Sequence, residues 1–215
     1  MIPDKSTARA AIRARRRAAA VSRTADDAAL LAERFAANSI AWLRDALHHD
    51  SEDPAALRGA AVACYLSGPL EPPTDRLLAL LHEQGATVLL PVCRPEHVMD
   101  WVSWRPGVPM HRSPYAPVDE PDAAGLSLSQ VLADHGMDAI LLPATGIDSN
   151  GNRLGQGGGY YDRFLDALTL TGHSCPGAAL IFETEFVTPG TFPVEVFDAP
   201  MDAVITEERW LRLPR

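Results

Sequence analysis

Short apolar runs recur along the chain, and segments with helical character separate them. Residues 60–66, 86–91, 139–142, 178–182 and 203–205 each have the length and composition of a buried strand. Strands that are apolar on both faces and alternate with helices are typical of a parallel sheet with both faces covered. The sequence therefore predicts an α/β protein: a single domain over residues 1–215, with a mainly parallel, twisted sheet covered by helices on both faces in a Rossmann-like three-layer arrangement.

Four segments predict the helices. Residues 5–20 and 24–47 are rich in Ala, Arg and Leu, while 74–84 lies between Thr74, a candidate N-cap, and Gly85. Residues 160–168 form the fourth helix, directly after a glycine-rich stretch. Residues 50–54 interrupt the pattern, and residues 105–124, which hold five prolines, predict irregular structure.

Composition narrows the class of protein. No run approaches the roughly 18 apolar residues of a membrane helix, and residues 2–20 lack the apolar block of a secretory signal. The three cysteines are far apart and form no CxxC, so neither disulfides nor a zinc site is indicated. A net charge of −9 disfavours general nucleic-acid binding. We expect a cytoplasmic monomer without membrane or nucleic-acid partners.

Basic residues are concentrated at the N-terminus, where seven of the 19 lie within the first 23 positions: Lys5, Arg9, Arg13, Arg15, Arg16, Arg17 and Arg23. Lys5 and Arg9 are four residues apart, so they share one helix face, and Arg13 roughly continues it. Such a face suits a phosphate-bearing ligand. An Arg- and Ala-rich start also resembles a transit peptide, which leaves an organelle-targeted protein as an alternative.

A polar loop rich in glycine follows the predicted strand 139–142. In parallel sheets, ligands bind beyond the carboxyl ends of the strands. Five glycines occupy residues 151–159, here named the glycine loop, and they run directly into a predicted helix whose free N–H groups favour an anion. Arg153 adds a cation suited to phosphate or carboxylate. The loop is neither a P-loop nor a dinucleotide fingerprint, since no GKS or GKT follows and Tyr160 stands where GxGxxG needs Gly.

Residues 153–163, Arg-Leu-Gly-Gln-Gly-Gly-Gly-Tyr-Tyr-Asp-Arg, resemble the signature of the 5-formyltetrahydrofolate cyclo-ligase family. Three more elements resemble the family, in the same order along the chain: Lys5-x-x-x-Arg9, then Tyr65-Leu66-Ser67 with Glu71 and Thr74, and finally Phe197 to Asp202 followed by Ile205-Thr206-Glu207. The likeness extends over nearly the whole chain.

The resemblance implies a ligase that closes 5-formyltetrahydrofolate to 5,10-methenyltetrahydrofolate with MgATP and releases ADP and phosphate. ATP and Mg²⁺ are the implied cofactors, and the implied substrate is the folate with or without a polyglutamate tail. Two alternatives stay open: a catalytically weak relative that binds folate or nucleotide, and a phosphosugar isomerase-like α/β enzyme.

The resemblance also implies residue roles. The implied nucleotide-binding residues are Lys5, Arg9, Arg153, Gly155, Gln156, Gly157, Gly158, Gly159, Tyr160, Tyr161 and Asp162. The implied substrate-binding residues are Leu66, Glu71, Tyr115, Gln156, Gly157, Gly158, Gly159 and Tyr160. The implied catalytic residues are Glu71, Arg153 and Tyr160, and the implied metal ligands are Asp162 and Asp198. The chain departs from relatives at Gly158, where some have Lys, and at Ile147, where an aromatic residue is usual.

Overall fold

The computed structural model describes residues 3–47, 57–195 and 198–214. The predicted break at residues 50–54 lies outside these ranges, as does Phe197. Five α-helices lie within them: α1 (Lys5–Val21), α2 (Ala25–Ala46), α3 (Asp75–Glu83), α4 (Leu128–Asp134) and α5 (Tyr160–Leu170). The four predicted helices are confirmed, and α4 is an addition.

Twelve strands are present in the described ranges: β1 (Ala61–Ala63), β2 (Thr87–Cys93), β3 (Met99–Trp104), β4 (Met110–Arg112), β5 (Asp119–Pro121), β6 (Ala139–Pro143), β7 (Gly146–Asp148), β8 (Arg153–Leu154), β9 (Gly177–Leu180), β10 (Phe186–Val187), β11 (Ala203–Ile205) and β12 (Trp210–Arg212). Seven of them form the main sheet in the order β12-β11-β9-β6-β1-β2-β3. The strands from β11 to β2 run parallel, while the edge strands β3 and β12 are antiparallel. The predicted mainly parallel sheet is confirmed.

Successive residues of a strand point to opposite faces of the sheet, so the buried strands present apolar side chains on both faces. Helices pack against each of these faces. On one face, Val62 of β1 packs in a cluster with Phe35 of α2 and Leu78 of α3. On the other, Ala63 packs in a cluster with Phe164 of α5. The three-layer prediction is therefore confirmed.

The prediction of irregular structure over residues 105–124 is wrong in part. Strands β4 and β5 pair antiparallel, from Met110 opposite Pro121 to Arg112 opposite Asp119. A proline is tolerated here because the pair forms a separate two-stranded sheet with open edges. The Glu120 side chain, 2% exposed, accepts a hydrogen bond from the Cys93 backbone N–H at 2.8 Å. This bond holds the hairpin of residues 110–121 against the end of β2.

Thr74 precedes α3 as predicted, but its hydroxyl does not cap the helix. It donates to the Tyr65 carbonyl at 2.8 Å and accepts from the Ser67 N–H at 3.0 Å. These bonds fix the segment after β1, which the sequence assigned to a longer strand.

The basic helix α1 is part of the folded unit. Its N-cap Asp4 accepts from the Thr7 N–H at 2.8 Å. Its small apolar face places Ala8 and Ile12 in a cluster with Leu154 and Phe192. This packing joins α1 to the segment that carries the glycine loop. No helix in the described residues is long and apolar enough to cross a membrane.

Candidate active site

A cavity of about 970 Å³ lies beyond the carboxyl ends of β1, β2 and β6. Leu66, Cys93 and Pro143, which follow or end these three strands, line it. The glycine loop, the α1–α2 connection and the hairpin of residues 110–121 close the remaining sides. The cavity thus occupies the edge of the sheet at which the sequence predicts a ligand site.

The glycine loop wraps one wall of the cavity, and Gly155 to Asp162 all line it. Gly157 has φ +100°, which side chains rarely adopt, and a Cβ there would lie 3.5 Å from the Arg9 guanidinium carbon. Gly159 stands at the N-cap of α5 without a side-chain cap, so the first amides of α5 face the loop. The turn is therefore shaped for close approach of an anion to backbone N–H groups.

Helix α1 contacts the glycine loop through two of the predicted cations. Arg9 Nε donates to the Gly155 carbonyl at 2.8 Å, and Arg13 Nη2 donates to the Gln156 carbonyl at 2.6 Å and to Gln156 Oε1 at 3.0 Å. Residues 9 and 156 are far apart in sequence, yet the helix and the loop form one structural element of the site.

The Lys5 side chain does not contact the glycine loop as Arg9 and Arg13 do, but binds another segment of the chain. Its ammonium is ion-paired with Glu195 at 2.6 Å and with Asp198 at 2.8 Å. Among the described residues, Lys5, Arg9 and Asp198 are not part of the cavity lining. The predicted face of three cations is thus divided between the loop and the 195–198 segment.

Arg153 lies beneath the loop, with a side chain only 4% exposed. It forms an ion pair with Asp162, and its Nη1 donates to the Pro143 carbonyl at 3.3 Å. Burial lowers the pKa of the guanidinium, and the Asp162 carboxylate opposes that shift. Its buried Nε–H has no hydrogen-bond partner in the described part of the chain, which is costly unless a ligand accepts from it.

Glu71 is joined to the glycine loop by a hydrogen bond. Its Oε1 accepts from Gln156 Nε2 at 2.7 Å, while its Oε2 accepts from the Gly68 N–H at 2.7 Å. Both Glu71 and Leu66 line the cavity. The structure therefore brings together the predicted substrate residues of the segment after β1 and of the loop.

Three tyrosines predicted for the site line the cavity. The Tyr160 hydroxyl lies 3.3 Å from the carbonyls of Arg94 and Tyr115, so it joins two walls. Tyr115 is 50% exposed on the hairpin. Tyr161 packs beneath, against both core clusters, and burial raises the pKa of its hydroxyl.

Ile147, one of the two departures from the family pattern, is fully buried in the core. It is not part of the described cavity lining, so it influences the pocket only through packing. Gly158 is exposed on the loop, and a Cβ there would meet only Tyr160, at 3.5 Å. The position has room for a side chain.

The two predicted metal ligands are each paired with a cation. Asp162 lines the cavity beside Arg153, whereas both oxygens of Asp198 accept from Lys5, at 2.9 and 2.8 Å. The described residues contain no group of three His, Cys, Asp or Glu side chains able to hold a metal. A metal here would depend on ligand oxygens, as is usual for Mg²⁺ with nucleotides.

Sequence reasoning missed a buried ion pair of α1 and one aromatic residue of the cavity lining. Arg16 is buried and binds both oxygens of Glu185, at 2.5 and 2.7 Å, as well as the Ala144 carbonyl at 2.7 Å. The His97 ring packs edge-on to Tyr160, with the ring centroids 5.1 Å apart, and lines the cavity. Arg16 is four positions from Ile12 on the buried face of α1, and this helical spacing could have identified Arg16 as a buried cation that needs a partner.

Comparison with known proteins shows which protein family and which solved structures the chain is similar to. A model of the 5-formyltetrahydrofolate cyclo-ligase family matches residues 1–207. A 5-formyltetrahydrofolate cyclo-ligase from Mycolicibacterium smegmatis is 31% identical over 163 residues, 71% of this chain and 76% of that protein. One from Haemophilus influenzae is 31% identical over 142 residues, 65% of this chain and 72% of that protein. The structure of a 5,10-methenyltetrahydrofolate synthetase from Mycoplasma pneumoniae superposes with a TM-score of 0.65 at 18% identity, covering 96% of this chain and 100% of that one, which bears on the fold alone.

Proposed function

The chain belongs to the 5-formyltetrahydrofolate cyclo-ligase family, and we propose that the cavity beside the glycine loop is where it closes 5-formyltetrahydrofolate to 5,10-methenyltetrahydrofolate. Family membership implies ATP use. The observation that carries the site assignment is the contact of α1 cations with the glycine loop: Arg9 and Arg13 both donate to loop carbonyls that border the cavity.

The reaction requires removal of the formyl oxygen, which is a poor leaving group. When bound, ATP would supply a phosphoryl group to that oxygen, so that the oxygen departs with phosphate as N10 bonds to the formyl carbon. Such a reaction depends on positioning and on stabilisation of charge more than on acids and bases. The residues of the chain therefore act mainly by holding the two substrates in contact and by neutralising phosphate charge.

The glycine loop and its cations fit a triphosphate. The loop presents backbone N–H groups at the start of α5, and Arg153 places an unpartnered, buried Nε–H beneath it. Arg13 lines the cavity, and Arg9 lies behind Gly157. We infer that Arg13 and Arg153 contact phosphate oxygens and that Arg9 holds the loop in position. Lys5 would reach the phosphates only by leaving its carboxylate partners.

Mg²⁺ binding follows from the same geometry. Asp162 lines the cavity and its side chain is 42% exposed, so it can offer an oxygen while paired with Arg153. We propose Asp162 as the carboxylate that holds the metal beside phosphate oxygens. Asp198 is held by Lys5, so it would join the metal only when Lys5 moves to the phosphates.

The opposite wall suits the folate. Glu71 offers a carboxylate for the polar end of the substrate and is fixed by Gly68 and Gln156. Tyr160 and Tyr115 offer aromatic surface for a flat ring system, and Leu66 lies near Glu71 in the chain and lines the same cavity. We infer that the folate lies between the hairpin and the glycine loop.

The decisive experiment follows the absorbance of methenyltetrahydrofolate formed from 5-formyltetrahydrofolate, with and without MgATP. We expect product only with nucleotide and metal, with one ADP and one phosphate per turnover. Gln156→Ala is a suitable site variant, because it removes the partner of both Glu71 and Arg13. Gln84→Ala is its control, because Gln84 is the C-cap residue of α3 and does not line the cavity. Full turnover in EDTA, or without ATP, would rule out the proposed chemistry.

A further inference from the structure

One of the cations that line the main cavity makes no directed polar bond within the part of the chain that the structure describes. Four arginines line it: Arg13, Arg23, Arg112 and Arg153. Three donate to protein oxygens, Arg112 through an ion pair with Asp119 at 3.3 Å and two as described above. Arg23 forms neither a hydrogen bond nor an ion pair with any residue that the structure describes. Its guanidinium carbon lies 5.5 Å from the centre of the Phe182 ring.

Arg23 interacts with the nearby Asp27 carboxylate through charge alone, with no hydrogen bond or ion pair between them. It lies in the connection between α1 and α2. The nearby Asp27 carboxylate caps α2 instead, accepting from the Thr24 hydroxyl at 2.7 Å and from the Thr24 N–H at 3.0 Å. A guanidinium stacked on an aromatic ring keeps its N–H groups free for a planar anion at its rim. The side chain is therefore ready to bind a carboxylate.

A second, smaller cavity of about 150 Å³ shares Arg23 with the lining of the main one. Arg15 of α1 adds another exposed cation to its lining. Two acids also line this cavity, and both are engaged. Glu185 is paired with Arg16, as described above. Glu207 accepts from the Glu183 N–H at 3.0 Å, and burial raises the pKa of its carboxyl.

We propose that Arg23 binds the glutamyl carboxylates of the folate where the tail leaves the main cavity, and that Arg15 and the second cavity receive the further glutamates of a polyglutamate tail. The proposal rests on the proposed function, since it assumes a folate in the main cavity. A carboxylate and a guanidinium form two parallel hydrogen bonds, which is a strong and directional contact.

The position of Arg23 separates this subsite from the phosphates. Arg13 contacts the glycine loop, whereas Arg23 lies ten positions further along the chain, just after the end of α1. At the rise of an α-helix, ten residues correspond to roughly 15 Å. A cation that far from the loop is suited to the opposite end of the bound substrates. The glutamyl tail is the anionic part of the folate that takes no part in the cyclisation.

The test combines variants with substrates of different tail length. Binding is measured by tryptophan fluorescence, without ATP, for 5-formyltetrahydropteroate (which has no glutamate), the monoglutamate and the pentaglutamate. Arg23→Ala should weaken binding of the monoglutamate by roughly tenfold to a hundredfold and leave binding of the pteroate unchanged. Arg15→Ala should weaken the pentaglutamate alone. Arg17→Ala, an exposed change on the same helix that lines neither cavity, should alter none of them.

The outcomes separate this inference from the proposed function. An equal loss for pteroate and monoglutamate in Arg23→Ala would overturn the subsite, and so would a raised ATP requirement with unchanged folate binding. Arg23→Lys retains the charge and should recover part of the affinity, which distinguishes a lost contact from misfolding. Wild-type protein that binds these folates but gives no methenyl product with MgATP would refute the proposed function and leave the subsite standing.

Discussion

The buried pair of Arg16 and Glu185 predicts a separation between stability and nucleotide binding. Their side chains are 4% and 2% exposed, and Arg16 also donates to the Ala144 carbonyl. Arg16→Met or Glu185→Met leaves one charge buried without its partner. That should cost about 3–5 kcal/mol of unfolding free energy. At roughly 2–4 °C per kcal/mol for a chain of this size, the melting temperature should fall by about 6–20 °C.

The double variant Arg16→Met/Glu185→Met is the informative one. Removing both charges avoids the buried unpaired ion, so stability should recover most of the loss. The two methionine side chains form no directional bonds, however, so they restrict the rotation of α1 about its axis less than the ion pair does. Since α1 carries Arg9 and Arg13, the KM for ATP should stay raised by roughly fivefold, which is about 1 kcal/mol. The KM for the folate should change little.

The assay is ATP saturation at saturating folate, together with thermal melts of each variant. The matched control is Arg76→Met/Glu33→Met, which removes a 2.8 Å pair between α3 and α2 whose side chains are 37% and 58% exposed. An exposed pair contributes at most about 1 kcal/mol and should leave both KM values unchanged. A double variant at residues 16 and 185 with wild-type ATP saturation would refute a positioning role for the buried pair.

Four further predictions follow from the site. Both glycines have a positive φ, so Gly157→Ala and Gly151→Ala should each lower the melting temperature; Gly151→Ala should lower it more, because its Cβ would lie 2.8 Å from a backbone carbonyl oxygen, whereas Gly157→Ala should reduce activity more, and similar melts for the two would contradict this. Asp162→Asn should raise the magnesium midpoint of activity roughly tenfold, and an unchanged midpoint would exclude the metal role. Arg9→Ala should raise the KM for ATP roughly tenfold with little change in melting temperature, as kinetics beside a melt can show. Burial raises the pKa of the cavity-lining Cys93 thiol to about 11, so alkylation by iodoacetamide at pH 8 should be slow and should rise about tenfold per pH unit up to pH 10; a rate that does not vary with pH would refute this.

Local sequence was sufficient to predict the central layers and the position of the loop. Residues 139–142 are apolar throughout and are followed by glycines, so a buried strand, a turn and a helix are each favoured by neighbouring residues alone. The composition of residues 5–20 likewise predicted a helix, which α1 confirms. Local sequence could not predict the close contact of Gly151, because that contact is with Met201, 50 positions further along the chain.

Tertiary structure decided what each cation of α1 meets. Lys5 and Arg9 have the same helical spacing as Arg9 and Arg13, yet Lys5 pairs with Asp198 while Arg9 and Arg13 contact the loop. Arg16, on the same helix, meets Glu185 across 169 positions of sequence. Helical periodicity assigns residues to a face of a helix, but the group opposite that face comes from another part of the chain. Only the packing of α1 against the loop and the segment after β6 makes Arg16 a buried anchor, while Arg23 forms no hydrogen bond or ion pair within the described ranges.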